Sequence, residues 1–156
     1  MLTVSVLLCA LVALSTADDE ATRSRPTCAE GWSPYEKDCF HYFEEKMPWV
    51  DAEMNCQKHN GNLASVHSQE ELDFIHSLVP VNSSGVGLWL GGSNCQQDDT
   101  WLWKDGSAFK FTFWCPEEPN NLFGRQHCLQ ADLGALKCWN DLQCGVTLPS
   151  VCRSDL

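Results

Sequence analysis

The chain has 156 residues, 44% hydrophobic and 20% charged, enough for one domain with its own core and short for two. Its 10 Lys and Arg stand against 21 Asp and Glu, a formal net charge of -11, so no basic surface is available for nucleic acid or an anionic membrane. Ten cysteines, seven tryptophans and ten glycines point to a disulfide-stapled, loop-rich domain in an oxidising compartment, and exclude a disordered tail or a coiled coil.

Residues 4–14 form an apolar run followed by Ser15, Thr16 and Ala17, small residues suited to a signal-peptidase site. The run is too short to span a bilayer, so residues 1–17 read as a signal peptide of a secreted protein without membrane insertion. Cys9 leaves with it. The nine remaining cysteines contain no C-x-x-C pair, and an odd count makes a structural disulfide framework with one thiol left over.

Residues 18–27 are polar and aperiodic and read as a tether, so the domain spans 28–153. Aromatic residues from 31 to 43 flank a Lys37-Asp38 turn, and Cys28 and Cys39 are close enough in sequence to clasp this hairpin. Trp49, Ala52 and Cys56 fall at helical spacing after Pro48, with Gly61 as the left-handed stop. Ser68 and Glu71 make a capping box ahead of Leu72, Ile75, Leu78 and Val79, which share one helical face until Pro80. Short apolar runs at 63–66, 88–90, 101–103, 128–131, 137–139 and 150–153 are strands, giving an α+β fold. Residues 109–123 carry no convincing element, and structureless stretches of that length are usually functional. Asn82-Ser83-Ser84 is a glycosylation sequon in a loop.

Within that stretch stands Glu118-Pro119-Asn120, and some twenty residues on come Trp139-Asn140-Asp141. Two carboxylates and two amides are hard oxygen ligands of the kind Ca²⁺ accepts, and a cis proline bond would turn the side chains of Glu118 and Asn120 the same way. Enzyme chemistry has no comparable signal: G-x-S-x-G, H-E-x-x-H and a P-loop are all absent, and the five histidines are scattered. Glu44-Glu45, Glu70-Glu71 and Asp98-Asp99 read as solvated surface, and Trp89, Trp101 and Trp103 as core.

Seven ordered pieces carry a resemblance to the C-type lectin domain family: Cys28 to Trp32 with Cys39, the helix ending at Cys56, Leu63 to His67, Leu88 to Gly92, Trp101 to Gly106, Glu118-Pro119-Asn120, and Trp139-Asn140-Asp141 with Ser150 to Cys152. The chain most resembles the small secreted fish members, the ladderlectin-like lectins and type II antifreeze proteins. The resemblance implies two helices with small antiparallel sheets and a long calcium-binding loop. It also implies bridges Cys28 with Cys39, Cys56 with Cys152, Cys128 with Cys144 and Cys115 with Cys138.

In that group Cys95 pairs with a cysteine at position 127, where this chain has histidine. Cys95 is then free, linked to a small thiol, or joined to a second chain as a covalent homodimer. If the backbone kept the bridge geometry, the thiol would face the His127 imidazole and could be activated by it. The resemblance further implies one Ca²⁺ held by Glu118, Asn120, Asn140, Asp141 and the residue at 126. Vicinal sugar hydroxyls would then be oriented by Glu118, Asn120, Asn140 and Asp141, with Glu before Asn favouring mannose-type glycans. Position 126 is usually Glu in the family and is Gln here, which removes a charge and predicts weak calcium binding, with Kd on the order of 10⁻⁴ to 10⁻³ M or poorer. The expected function is a secreted calcium-dependent lectin, with microbial surface glycans as targets. The alternatives are ice binding on the same fold, or a protein-binding domain without sugar activity.

Overall fold

The computed structural model describes residues 27–156; the expected signal peptide and nearly all of the tether lie outside them. The chain opens with a hairpin of β1 (Ser33–Tyr35) and β2 (Asp38–Met47). Its turn sits one residue earlier than the sequence suggests, with Glu36 at φ 52, and a Cys28–Cys39 disulfide closes it. At the far end of the chain the Leu156 N–H donates to the Lys37 carbonyl at 3.1 Å.

Helix α1 (Trp49–Lys58) follows Pro48 and buries Trp49, Ala52 and Cys56. Its end corrects the expectation for Gly61. Asn60 is the residue in the left-handed region, at φ 60, while the Gly61 and Asn60 N–H groups donate to the Cys56 and Gln57 carbonyls. This is a Schellman stop with asparagine in the glycine position. Gly61 is needed for another reason: a Cβ there would overlap the Arg153 carbonyl oxygen.

Helix α2 (Gln69–Leu78) is capped by Ser68, whose Oγ accepts the Glu71 N–H at 3.1 Å. The return bond goes to the His67 N–H, at 2.6 Å, rather than to Ser68. Glu71 is not solvated surface as its sequence neighbours suggest. It is buried, and its other oxygen receives Arg153 Nη1 at 3.0 Å while Arg153 Nη2 reaches Asp38 at 2.7 Å. A buried carboxylate needs such a partner, and this one stands 82 residues away. Leu72 and Ile75, both fully buried, contribute about 1.5 to 3 kcal/mol each, so core packing outweighs the cap's roughly 1 kcal/mol in holding α2.

The remaining strands are β3 (Asn62–Leu63), β4 (Val86–Ser93), β5 (Leu102–Trp103), β6 (Cys128–Leu133), β7 (Cys138–Leu142) and β8 (Leu148–Asp155). They run in the order β1-β2-β8-β4-β6-β7, with β3 on β8 and β5 on β4. The neighbours are antiparallel except at β4 and β8, where a parallel contact between Trp89 and Ser150 joins what would be two antiparallel sheets into one mixed sheet. Trp89 and Trp49 are buried beside this junction, and their indole N–H groups satisfy the Met47 and Leu90 carbonyls at 3.0 and 2.8 Å. Disulfides also join Cys56 to Cys152, Cys115 to Cys138 and Cys128 to Cys144.

Candidate metal and ligand site

Between β5 and β6 the chain has only a 3₁₀ turn, Leu122–Gly124, as regular structure. The base of this loop is nonetheless pinned to β7. The Trp139 N–H donates to the Phe113 carbonyl and the Cys115 N–H to the Trp139 carbonyl, each at 2.8 Å, beside the Cys115–Cys138 bridge. Buried Trp139 is the floor on which the loop's aromatics stand, with Phe111 and Trp114 edge-on at 5.7 and 5.8 Å between centroids. Edge-to-face contacts of this kind are favourable beyond the area they bury.

From that base the chain turns at Glu117, passes a cis Glu118–Pro119 bond and takes the left-handed region at Asn121. Asp141, at the end of β7, is fully buried and receives the N–H groups of Asn120 and Asn121 at 3.1 and 2.7 Å. Glu118 accepts the same Asn120 N–H at 3.1 Å and the Asn120 side-chain amide at 2.8 Å. Two carboxylates therefore converge on one N–H. Burial, then the hydrogen bond and negative charge of Asp141, push the Glu118 carboxyl above its ordinary value.

One residue on, the Leu122 N–H donates to Asn120 Oδ1 at 2.9 Å and to Gln126 Oε1 at 2.8 Å. The structure thus gathers oxygens of Glu118, Asn120, Gln126 and Asp141 about two successive turns of backbone. Asn140 is not tied to them: its amide nitrogen donates to Gln130 Oε1 on the adjacent strand at 3.0 Å, which leaves its carbonyl oxygen uncommitted to that bond. Two crowded carboxylates with neutral amide oxygens beside them fit a hard cation, whose charge would relieve the repulsion between Glu118 and Asp141. Two contributors are not evident from sequence. Gln130 orients Asn140, and Asn121 accepts the Gln126 N–H at 3.1 Å. The only local sign of either is the Asn120-Asn121 doublet, since asparagine tolerates left-handed turns and bonds its own neighbours.

Cys95 is exposed and is the only free cysteine among the described residues. The expected contact with the His127 imidazole is not made. The ring turns to Asn94 Oδ1 at 3.0 Å and lies 3.7 Å from Asp98, while the thiol approaches the His127 carbonyl at 3.8 Å. Better hydrogen-bond partners draw the ring away from the sulfur. Asn82, of the sequon, is exposed on the turn before β4.

A cleft of about 440 Å³ lies at the start of the β5–β6 connection, against Asn62, Asp105, Ser107 and Arg153. Beside it His67 Nε2 meets Ser65 Oγ at 3.0 Å, and both serine hydroxyls, of Ser65 and Ser107, donate to Asp105 at 2.5 Å. Burial works to raise the Asp105 carboxyl, but these serine bonds outweigh it and hold the group below its usual range. With both of its oxygens on serines, Asp105 does not orient the imidazole as a hydrolytic triad requires. This cluster ties the turn after β5 to Arg153 on β8, whose Nη1 reaches Ser65 Oγ at 3.1 Å.

A mixed sheet flanked by two helices, four disulfides and a long loop that presents oxygen ligands define a C-type lectin-like domain. The chain belongs to the Lectin C-type domain family, whose pattern matches residues 45–154. It is 40% identical to a type-2 ice-structuring protein of Hemitripterus americanus, over 97% of this chain and 98% of that one. It is 36% identical to the ladderlectin of Oncorhynchus mykiss, over 96% and 91%. Among solved structures it is similar to a Ca²⁺-dependent type II antifreeze protein in its Ca²⁺-free form, with a TM-score of 0.77 and 32% identity over 81% of this chain and 99% of that one.

Proposed function

We propose that the protein is a secreted, calcium-dependent lectin that binds mannose-type glycans and recognises microbial surfaces. The observation that carries this reading is the convergence of Glu118 and Asp141 on the Asn120 N–H, with Asn120 and Gln126 oxygens alongside. Glu118, Asn120, Gln126 and Asp141 would hold one Ca²⁺, together with Asn140 once its carbonyl oxygen turns to the loop. When bound, the ion supplies the charge that neutralises the carboxylates and open coordination positions for two adjacent sugar hydroxyls. Glu118 then accepts, and the side-chain amides of Asn120 and Asn140 donate, the hydrogen bonds that orient those hydroxyls. With two carboxylates, Kd for the ion is on the order of 10⁻⁴ to 10⁻³ M. No helix among the described residues is long and apolar enough to cross a membrane, which is compatible with secretion.

The test is retention on a mannose column in millimolar Ca²⁺ and release by EDTA, with a galactose column as control. Flow-through from both would sink the sugar reading. Protons compete with the ion for the Glu118 and Asp141 carboxylates, so retention should be lost on acidification. Ice binding is the second reading, favoured by the ice-structuring relative that matches nearly the whole chain. Thermal hysteresis measured with and without EDTA, alongside the columns, separates the two.

A further inference from the structure

The free thiol of Cys95 does not stand alone. Its Sγ lies 3.9 Å from the Sγ of Cys144, which is bonded to Cys128, and all three sulfurs lie within 4.8 Å of one another. The three cysteines line one cleft of about 340 Å³ with Trp49, Leu102 and Trp103, so no protein wall separates the thiol from the disulfide. Cys95 is exposed on the turn after β4 and its N–H is held by Ser93 Oγ at 3.2 Å.

We propose that Cys95 and the Cys128–Cys144 bridge form an intramolecular thiol–disulfide exchange site. The Cys95 thiolate attacks the Cys144 sulfur. A Cys95–Cys144 bond forms as the Cys144–Cys128 bond breaks, and the electron pair leaves with the Cys128 sulfur. Cys128 takes up a proton from water in place of the one Cys95 released. One disulfide and one thiol are present before and after, so no oxidant or reductant is consumed. The sulfurs are bent in the resting arrangement, and the exposed Cys95 side chain must rotate to attack in line. Cys128 is fully buried, which disfavours a thiolate there and keeps the resting pairing dominant.

The exchange bears on the candidate site at both ends. Cys128 follows Gln126 by two residues and Cys144 follows Asp141 by three, so the resting bridge ties the two sides of the oxygen cluster together. After exchange Cys144 is tethered to the turn after β4 instead, and the Gln126 side loses its covalent tie. This consequence rests on the calcium reading, whereas the exchange itself does not.

The test keeps the folded, oxidised protein under argon at pH 6 and at pH 8 without denaturant. Samples are quenched in acid, alkylated, digested and mapped by mass spectrometry. Label is expected on Cys95 at the start. With time, label on Cys128 and a Cys95–Cys144 linked peptide should appear together in equal amounts and level off as the minor fraction, the approach being faster at pH 8 than at pH 6 because the thiolate is the nucleophile. A Cys95→Ser protein should show no labelled cysteine at either pH. Folded Cys128→Ser protein, which lacks the leaving sulfur, should carry a Cys95–Cys144 disulfide and no free thiol. Label confined to Cys95 at every time, label on any cysteine other than 95 and 128, or no label because Cys95 already joins another chain would each overturn the proposal.

Discussion

The sheet-and-helix body and the long loop are held together by different physics. In the body, Leu72, Ile75, Leu88, Leu90 and Val151 are fully buried, and backbone bonds run strand to strand. In the loop, backbone N–H groups of residues 120, 121 and 122 are satisfied by side chains of Glu118, Asn120, Gln126 and Asp141. A body of this kind keeps its shape when a peripheral polar contact such as a helix cap is lost, whereas a loop built on four side chains loses its shape and its ligand positions together. The two regions should therefore fail separately.

The sharpest separation comes from the bridge that spans most of the body. Replacing both Cys56 and Cys152 with alanine removes a link of sequence separation 96 and is expected to cost about 4 to 5 kcal/mol in chemical unfolding, with all spectroscopic probes moving together. Next comes Asp141→Ala, which leaves the half-buried Asn121 N–H without its partner and should cost about 1 to 3 kcal/mol. Its larger signature is total loss of EDTA-sensitive column retention with an unchanged far-ultraviolet spectrum; retained binding would show that the loop does not depend on its carboxylates. Ser68→Ala removes the cap of α2 and should lower stability by about 1 kcal/mol while leaving retention alone.

The smallest effect is a titration. Burial, against a partial opposing pull from Asp132, holds the His76 imidazole below its ordinary 6.5. A base whose folded value is depressed contributes stability above the unfolded value and loses it as pH falls through the folded one. Melting temperature should thus begin to fall below about pH 6.5, and His76→Gln should flatten that slope. An unchanged slope would place the acid sensitivity elsewhere.

Legibility in the sequence follows the same division. The apolar spacing of Trp49, Ala52 and Cys56, and the Ser68 cap with its Leu72 and Ile75 face, are local patterns, and both helices follow from them. Glu71 misleads because its partner Arg153 is remote in the chain, and no window of neighbours reveals a buried ion pair. Gly61 misleads because two different demands, a left-handed turn and a close backbone approach, select the same residue type. In the loop the residue types of Glu118, Asn120 and Asp141 are readable, but which oxygen faces which N–H is not. The commitment of Asn140 to Gln130 and the turning of His127 toward Asn94 depend on competing partners that only the fold brings near.

The bond from Leu156 to Lys37 places the last residue beside the first hairpin, and β8 leaves the sheet next to where β2 enters it. Tension applied to the two ends would therefore open β2 from β8 in a zipper geometry, one rung at a time, the mechanically weak direction for antiparallel strands. The rungs lost first are Asp38 with Asp155, Cys39 with Ser154 and Phe40 with Arg153, and the next residue on β8 is Cys152, covalently fastened to α1. On the other end the Cys28–Cys39 bond passes the load directly to β2. A stretched domain would yield by a few residues and then stop against sulfur, with the long loop still in place.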